Sequence, residues 1–203
     1  LHGFRVLAIV SVVQYHVTWI FAGEQGIKID RGFVDGSLTV FFGMDLFFIL
    51  SGFLIGSILI RSLATSGTQN IRRFYVRRVF LTFPSYHAVL TVFASTFALT
   101  AAHKSHLVYE YVYGINFLSL DRPQVIMFWG WSLALEEQFY LTVPILFFVL
   151  HRLKSDRLRI GLLAAIWASA LVVRLVIFYR WRPWNDFILY GAIYFRTYTR
   201  YDT

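Results

Sequence analysis

Long uninterrupted apolar blocks constrain this chain more than any other feature. A helix rises 1.5 Å per residue, so about 20 mostly apolar residues, within a range of roughly 17–25, cross the hydrocarbon layer of a bilayer. Five blocks reach that length: 4–21, 37–60, 82–102, 127–150 and 160–179. In hydrocarbon the backbone must satisfy its own hydrogen bonds, and blocks of this length do so as helices. The expected fold class is all-α, a polytopic membrane helix bundle with about five visible spans. A further apolar run, Leu107–Leu120, is interrupted by Glu110, Gly114 and Asn116. It reads as interfacial or re-entrant rather than crossing.

Composition supports the membrane class. The chain is 58% hydrophobic and 15% charged, against about 45–50% and about 25% in soluble domains. There is no cysteine, which excludes thiolate chemistry and cysteine metal sites; no metal is expected. A net charge of +8 would suggest nucleic acid in a soluble protein. Here the basic residues lie between apolar blocks, so the lipid bilayer is the expected partner and nucleic acid is not. Between the second and third blocks stand Arg61, Arg72, Arg73, Arg77 and Arg78 with no acidic residue, and between the fourth and fifth Arg152, Lys154, Arg157 and Arg159 against Asp156. Excess Lys and Arg mark the cytoplasmic side. The N-terminal end of the first span is therefore placed inside, with 61–81 and 151–159, and the segments 22–36 and 103–126 outside. Trp19, Trp129, Trp131, Trp181 and Trp184 fall near the outer ends, as in an interfacial belt. The chain starts without methionine and stops without a closing signal, and reads as the N-terminal half of a larger bundle.

An ionisable group inside hydrocarbon costs about 2.5–3.5 kcal/mol even on insertion scales, so each one is a functional candidate. Arg5 and His16 are eleven residues apart, which places them on one helix face about 16 Å apart along the axis. Arg5 also suits a cytoplasmic anchor. His16 and the pair Glu136 and Glu137 each fall about 8 Å below the outer surface. A carboxylate can hydrogen-bond one imidazole nitrogen, fix the tautomer and raise the basicity of the other. Neighbouring helix positions point 100° apart, so one glutamate is expected to face His16. Asp45 is a further acid, among small residues Gly43, Ser51, Gly52 and Gly56 that permit close helix packing. Arg73, Arg77 and Arg78 form a basic cluster at the cytoplasmic surface, suited to lipid headgroups or to a bound phosphate. Pro84 is expected to initiate or bend the third helix, and His87 and Arg174 are expected to be structural.

Several segments together resemble the integral-membrane acyltransferase family 3. LHGFRVLAIVSVVQYH resembles its opening, an arginine followed after ten residues by a histidine. GMDLFFILSGFLI resembles its second-helix signature, FYVRRVFLTFP its basic entrance to the third helix, WSLALEEQFYLTVP its most recognisable block, and YTRYD a later motif. The resemblance implies an O-acyltransferase of the bacterial cytoplasmic membrane. Such proteins take an acyl group, often acetyl, from cytoplasmic acyl-CoA and pass it to a hydroxyl of a cell-surface carbohydrate or related acceptor. It implies that Arg5 and His16 are needed for activity. Joined to the reading of the residues, His16 is expected to act as general base or to carry the acyl group briefly itself, oriented by Glu136 or Glu137, with the donor's phosphates near Arg5, Arg73, Arg77 and Arg78. His2 stands where many members are acidic, and Leu81 and Thr82 stand where the third-helix motif has a further arginine. Two other readings fit the polar residues without this chemistry: a transporter or flippase for an anionic solute, and a membrane scaffold. The 203-residue piece alone is expected to be inactive.

Overall fold

The computed structural model describes residues 2–19, 32, 43–65, 68–118, 125–180, 193–194 and 196–201. Of the sequence expectations, residues 22–31 and 33–36 of the first outer segment, the start of the second block at 37–42, Trp181, Trp184 and Asp202 lie outside these. The described residues are mostly helical and form no strand. The order is α1 (His2–Trp19), α2 (Gly43–Thr65), α3 (Thr68–Thr96), α4 (Ala101–Tyr111), α5 (Trp131–Arg152) and α6 (Asp156–Arg180), with short 3-10 turns at Ile115–Phe117, Phe128–Gly130 and Thr197–Thr199. Four segments are long and apolar enough to cross a membrane: Gly43–Ser62, Ile71–Thr96, Phe128–Arg152 and Asp156–Arg180. The apolar part of α1, Gly3–Thr18, is shorter; the last two residues of its expected span, Ile20 and Phe21, are not described.

The chain divides into two compact units, residues 1–58 and 59–202. In the first, α1 meets α2 where both carry small residues. A Cβ placed on Gly43 would stand 2.6 Å from Ser11 Cβ and 3.0 Å from the Ala8 carbonyl oxygen. Only a glycine admits that approach, and Ala8 is buried beneath it.

The second unit holds the longest helix. Its span was expected at 82–102, but α3 starts at Thr68 and ends at Thr96. Hydropathy misses the first turns because arginine, though polar, is a good helix former. The far end is set by Thr100, whose side chain accepts from the His103 amide while His103 Nδ1 accepts from the Thr100 amide, both at 3.2 Å. That reciprocal cap starts α4 and forces a break before it. Pro84 therefore lies well inside α3 rather than at its entrance.

Among the described residues, the run from Leu107 to Leu118 holds no helix long enough to cross. Its helical part ends at Tyr111, and α4 has 11 residues, about 16 Å. The chain then turns through Tyr113, whose φ is 55°, into the Ile115–Phe117 turn. Helices α3 and α5 run antiparallel: Tyr75 donates to the Leu141 carbonyl at 3.0 Å, Arg78 reaches Glu136, and Phe93 packs on Trp129 at 6.1 Å. Pro144 lies inside α5 and has no N–H to give the carbonyl of Tyr140, four residues back.

The core of this unit gathers Tyr86, Leu90, Tyr113, Ile115, Val125, Met127 and Ala134. Trp131, expected in the interfacial belt, is instead 4% exposed and packs edge-on against Tyr194 at 5.3 Å. Trp129, two residues earlier, is 50% exposed. The two differ because α5 begins at Trp131 and turns that side chain inward. Large apolar residues on α6 such as Ile160, Val172 and Val176 stay exposed, as helices surrounded by hydrocarbon do.

Candidate active site

In the second unit the ionisable side chains converge on the facing surfaces of α3 and α5. Arg78 Nη2 donates to Glu136 Oε1 at 3.1 Å, and Arg78 Nε lies 3.8 Å from Glu137 Oε1. The guanidinium sits over the Tyr140 ring, 3.4 Å from its centroid, and the Tyr140 hydroxyl donates to Glu136 Oε1. One arginine is thus held by two carboxylates and an aromatic face. Such a pair persists in a low-dielectric interior because each charge offsets part of the other's desolvation cost; breaking one partner away costs about 3–5 kcal/mol.

This arrangement divides the basic cluster expected at the cytoplasmic surface. Arg73 and Arg77 are four residues apart and both exposed. Arg78, one residue further, points 100° away and turns into the helix interface. It lies ten residues into α3, about 15 Å from the start of that helix, so it stands level with the glutamates and well away from the helix end.

Further hydrogen bonds to backbone and side-chain groups tie the surrounding elements together. Gln138 Nε2 donates to the Tyr113 carbonyl at 2.6 Å, and its Oε1 accepts from Thr197 Oγ1 at 2.5 Å. Arg174 Nε donates to the Thr199 carbonyl at 2.6 Å, Arg196 donates to the Leu118 carbonyl, and the Tyr201 hydroxyl donates to Ser169 Oγ at 2.9 Å. Residues 196–201, which carry most of the YTRYD motif, are thereby tied to α5, to α6 and to the turn after α4. The structural reading of Arg174 rests on this bond. His87 is also structural in its contacts: its ring nitrogens lie 2.8 Å from the Phe83 carbonyl and 2.9 Å from that of Tyr111, joining α3 to α4.

Glu110 went unrecognised as more than an interruption of an apolar run. It is fully buried, and its two carboxylate oxygens accept from the backbone amides of Ile126 and Met127, each at 2.8 Å. Its backbone carbonyl accepts from the Tyr86 hydroxyl at 3.1 Å. No local pattern announces this bond, because its partners are backbone groups 16 and 17 residues away. Tyr140 was findable, since it is four residues from Glu136 and shares its helix face. Tyr113 is 4% exposed and stacks on Tyr86 at 4.6 Å. Burial first, then the Glu137 and Tyr86 side chains, push its phenol above the usual range, so it is a hydroxyl able to donate.

The first unit presents Arg5 and His16. His16 Nδ1 lies 2.8 Å from the Val12 carbonyl. A carbonyl only accepts, so Nδ1 carries the proton and Nε2 keeps its lone pair, with no partner among the described residues. The tautomer that a glutamate was expected to fix is set here by the helix backbone. His16 is exposed, Arg5 is half-buried with its Nε unpartnered among the described residues, and Asp45 is half-buried.

Comparison with known proteins agrees with the sequence motifs. The chain is 29% identical over 193 residues to the peptidoglycan O-acetyltransferase OatA of Listeria monocytogenes, covering 84% of this chain and 28% of that protein. It is 27% identical over 215 residues to a Bacillus subtilis protein, YrhL, provisionally named a peptidoglycan O-acetyltransferase, covering 98% of this chain and 31% of the relative. A Staphylococcus aureus protein provisionally named an O-acetyltransferase is 24% identical over the whole chain, which matches 32% of its length. This chain thus spans about a third of the length of the curated relatives it matches. No solved structure matches it. The acyltransferase-domain family model matches residues 1–199, and with four helices able to cross a bilayer the chain belongs to that family as a multi-pass membrane protein.

Proposed function

We propose that the protein containing this chain transfers an acyl group, acetyl by preference, from cytoplasmic acyl-CoA to a hydroxyl of a cell-surface carbohydrate such as peptidoglycan. The observation that carries the reading is His16: within a chain of this family, its Nδ1–H donates to Val12 and its Nε2 lone pair is open. In the proposed reaction Nε2 takes the proton of the acceptor hydroxyl as its oxygen attacks the thioester carbonyl. The carbon–sulfur bond breaks, an ester forms, and the proton leaves with the thiolate as free CoA thiol. Arg5, Arg73 and Arg77 are proposed to contact the donor's phosphates, for which guanidinium forks are suited. Glu136 and Glu137, with Arg78 between them, are proposed to supply fixed charge in a water-poor interior. The N-terminal end of α1 and the basic connections face the cytoplasm in this reading, which puts the donor on the inner side of the cytoplasmic membrane.

The test uses the complete polypeptide in membranes with isotopically labelled acetyl-CoA, following labelled O-acetyl esters on extracted glycans by mass spectrometry. Label is expected with the native protein and is expected to fall at least a hundredfold in His16→Ala at matched abundance. Equal label in both would remove His16 from the mechanism. Solute movement without thioester consumption would favour transport instead.

A further inference from the structure

Arg78 Nε, Glu137 Oε1 and Tyr113 Oη are among the buried polar atoms of the second unit that have no hydrogen-bond partner among the described residues, as are Ser62 Oγ and His106 Nδ1. The first three share one neighbourhood. Arg78 Nε and Glu137 Oε1 stand 3.8 Å apart, attracted but too far to hydrogen-bond. Tyr113 arrives from the turn after α4. Its ring packs 5.1 Å from that of Phe83, one residue past Thr82 on α3, and its carbonyl accepts from Gln138, the residue after Glu137. Tyr113 and Glu137 are each 4% exposed, so neither group is satisfied by bulk solvent.

Leaving one buried polar atom unpaired costs about 1–3 kcal/mol, and three in one place require a common explanation. Their chemistry narrows it. Arg78 Nε–H only donates, Glu137 Oε1 only accepts, and the Tyr113 phenol can do either. A carbonyl could accept from Arg78 but gives nothing to Glu137. A phosphate or carboxylate would bring negative charge against Glu137, and an ammonium positive charge against Arg78. A hydroxyl satisfies all three, donating once and accepting twice.

We propose that Arg78, Glu137 and Tyr113 form a recognition site for a hydroxyl group of the carbohydrate acceptor, with Tyr113 as a specificity-determining residue. The carbohydrate identity of the ligand rests on the acyl-transfer reading; the hydroxyl chemistry rests on the three atoms. An internal water has the same donor and acceptor pattern, and the experiment separates the two.

The complete protein, carrying 3-fluorotyrosine in place of Tyr113, is titrated with chitotetraose while its fluorine resonance is followed. The resonance is expected to shift and saturate, and to need about tenfold more sugar in the Glu137→Gln background. In parallel, Tyr113→Phe removes one buried oxygen with no folded-state partner, so it is expected not to lower stability. It should raise the acceptor KM about tenfold and leave the donor KM alone. A resonance indifferent to sugar, or an unchanged acceptor KM in Tyr113→Phe, overturns the proposal and leaves water as the occupant. A saturable shift in a protein that transfers no acyl group would uphold the site and sink the reading of the chemistry. Transfer without a shift would do the reverse.

Discussion

Glu110 and Glu137 are both carboxylates buried in the second unit, yet their surroundings differ in kind. Glu110 is fully buried, with both oxygens filled by the amides of Ile126 and Met127. Those amides precede the short turn that leads into α5, so the carboxylate acts as a clasp on the approach to that helix. Glu137 sits on α5 itself, nearly as buried, with Oε1 in an ion pair at 3.8 Å and no hydrogen bond to it. Burial alone does not separate a structural acid from a functional one. What separates them is the bonding capacity left over: Glu110 has each oxygen taken by a protein donor, while Glu137 keeps an oxygen for something else.

The largest effect expected from this contrast is at Glu110. Replacing it by alanine leaves two buried backbone amides unpaired, a loss of about 4 kcal/mol, and Glu110→Gln, which keeps one acceptor, should lose about half of that. Unfolding of the purified protein in mixed detergent micelles measures both. Stability like that of the native protein in Glu110→Ala would end the distinction between the two acids.

Next in size is the pair beside Glu137. Glu136→Gln leaves Arg78 with weakened compensation and is expected to cost about 2–3 kcal/mol, since a buried charge without its partner is destabilising. Adding Arg78→Met and Glu137→Gln should recover at least half of the loss, because replacing the whole charged group by uncharged side chains is close to neutral. If the triple variant is as unstable as the sum of the singles, the three side chains are not acting on one another.

The smallest effect is expected at the exposed arginines of the same helix. Arg73→Ala with Arg77→Ala should change stability by less than about 0.5 kcal/mol. Any rise in the KM for acyl-CoA would then report ligand contact rather than folding, which sharpens the difference between these arginines and Arg78.

Much of this was legible without coordinates. Block length and hydropathy specify helices that can cross a bilayer, because hydrocarbon leaves the backbone no other partner. The cost of a charge in oil singles out Arg5, His16, Glu136 and Glu137, and spaced motifs are sufficient to mark the family. The polar interruptions of Leu107–Leu120 also set that run apart from the five long blocks. Partners were a different matter. Arg78 and Glu136 are 58 residues apart, and nothing local distinguishes Arg78 from Arg77, since both read as cytoplasmic surface charge. Only the antiparallel packing of α3 on α5 brings one of them to a carboxylate, with a single 100° step of helix leaving the other outside. The same holds for Glu110, whose ligands are backbone amides that any residue type could offer. Sequence determines which groups are costly in an apolar medium, because that is a property of each side chain and its near neighbours. Tertiary structure decides which costs are cancelled and which valences stay open, because a hydrogen bond depends on distance and direction across helices that the chain order does not record.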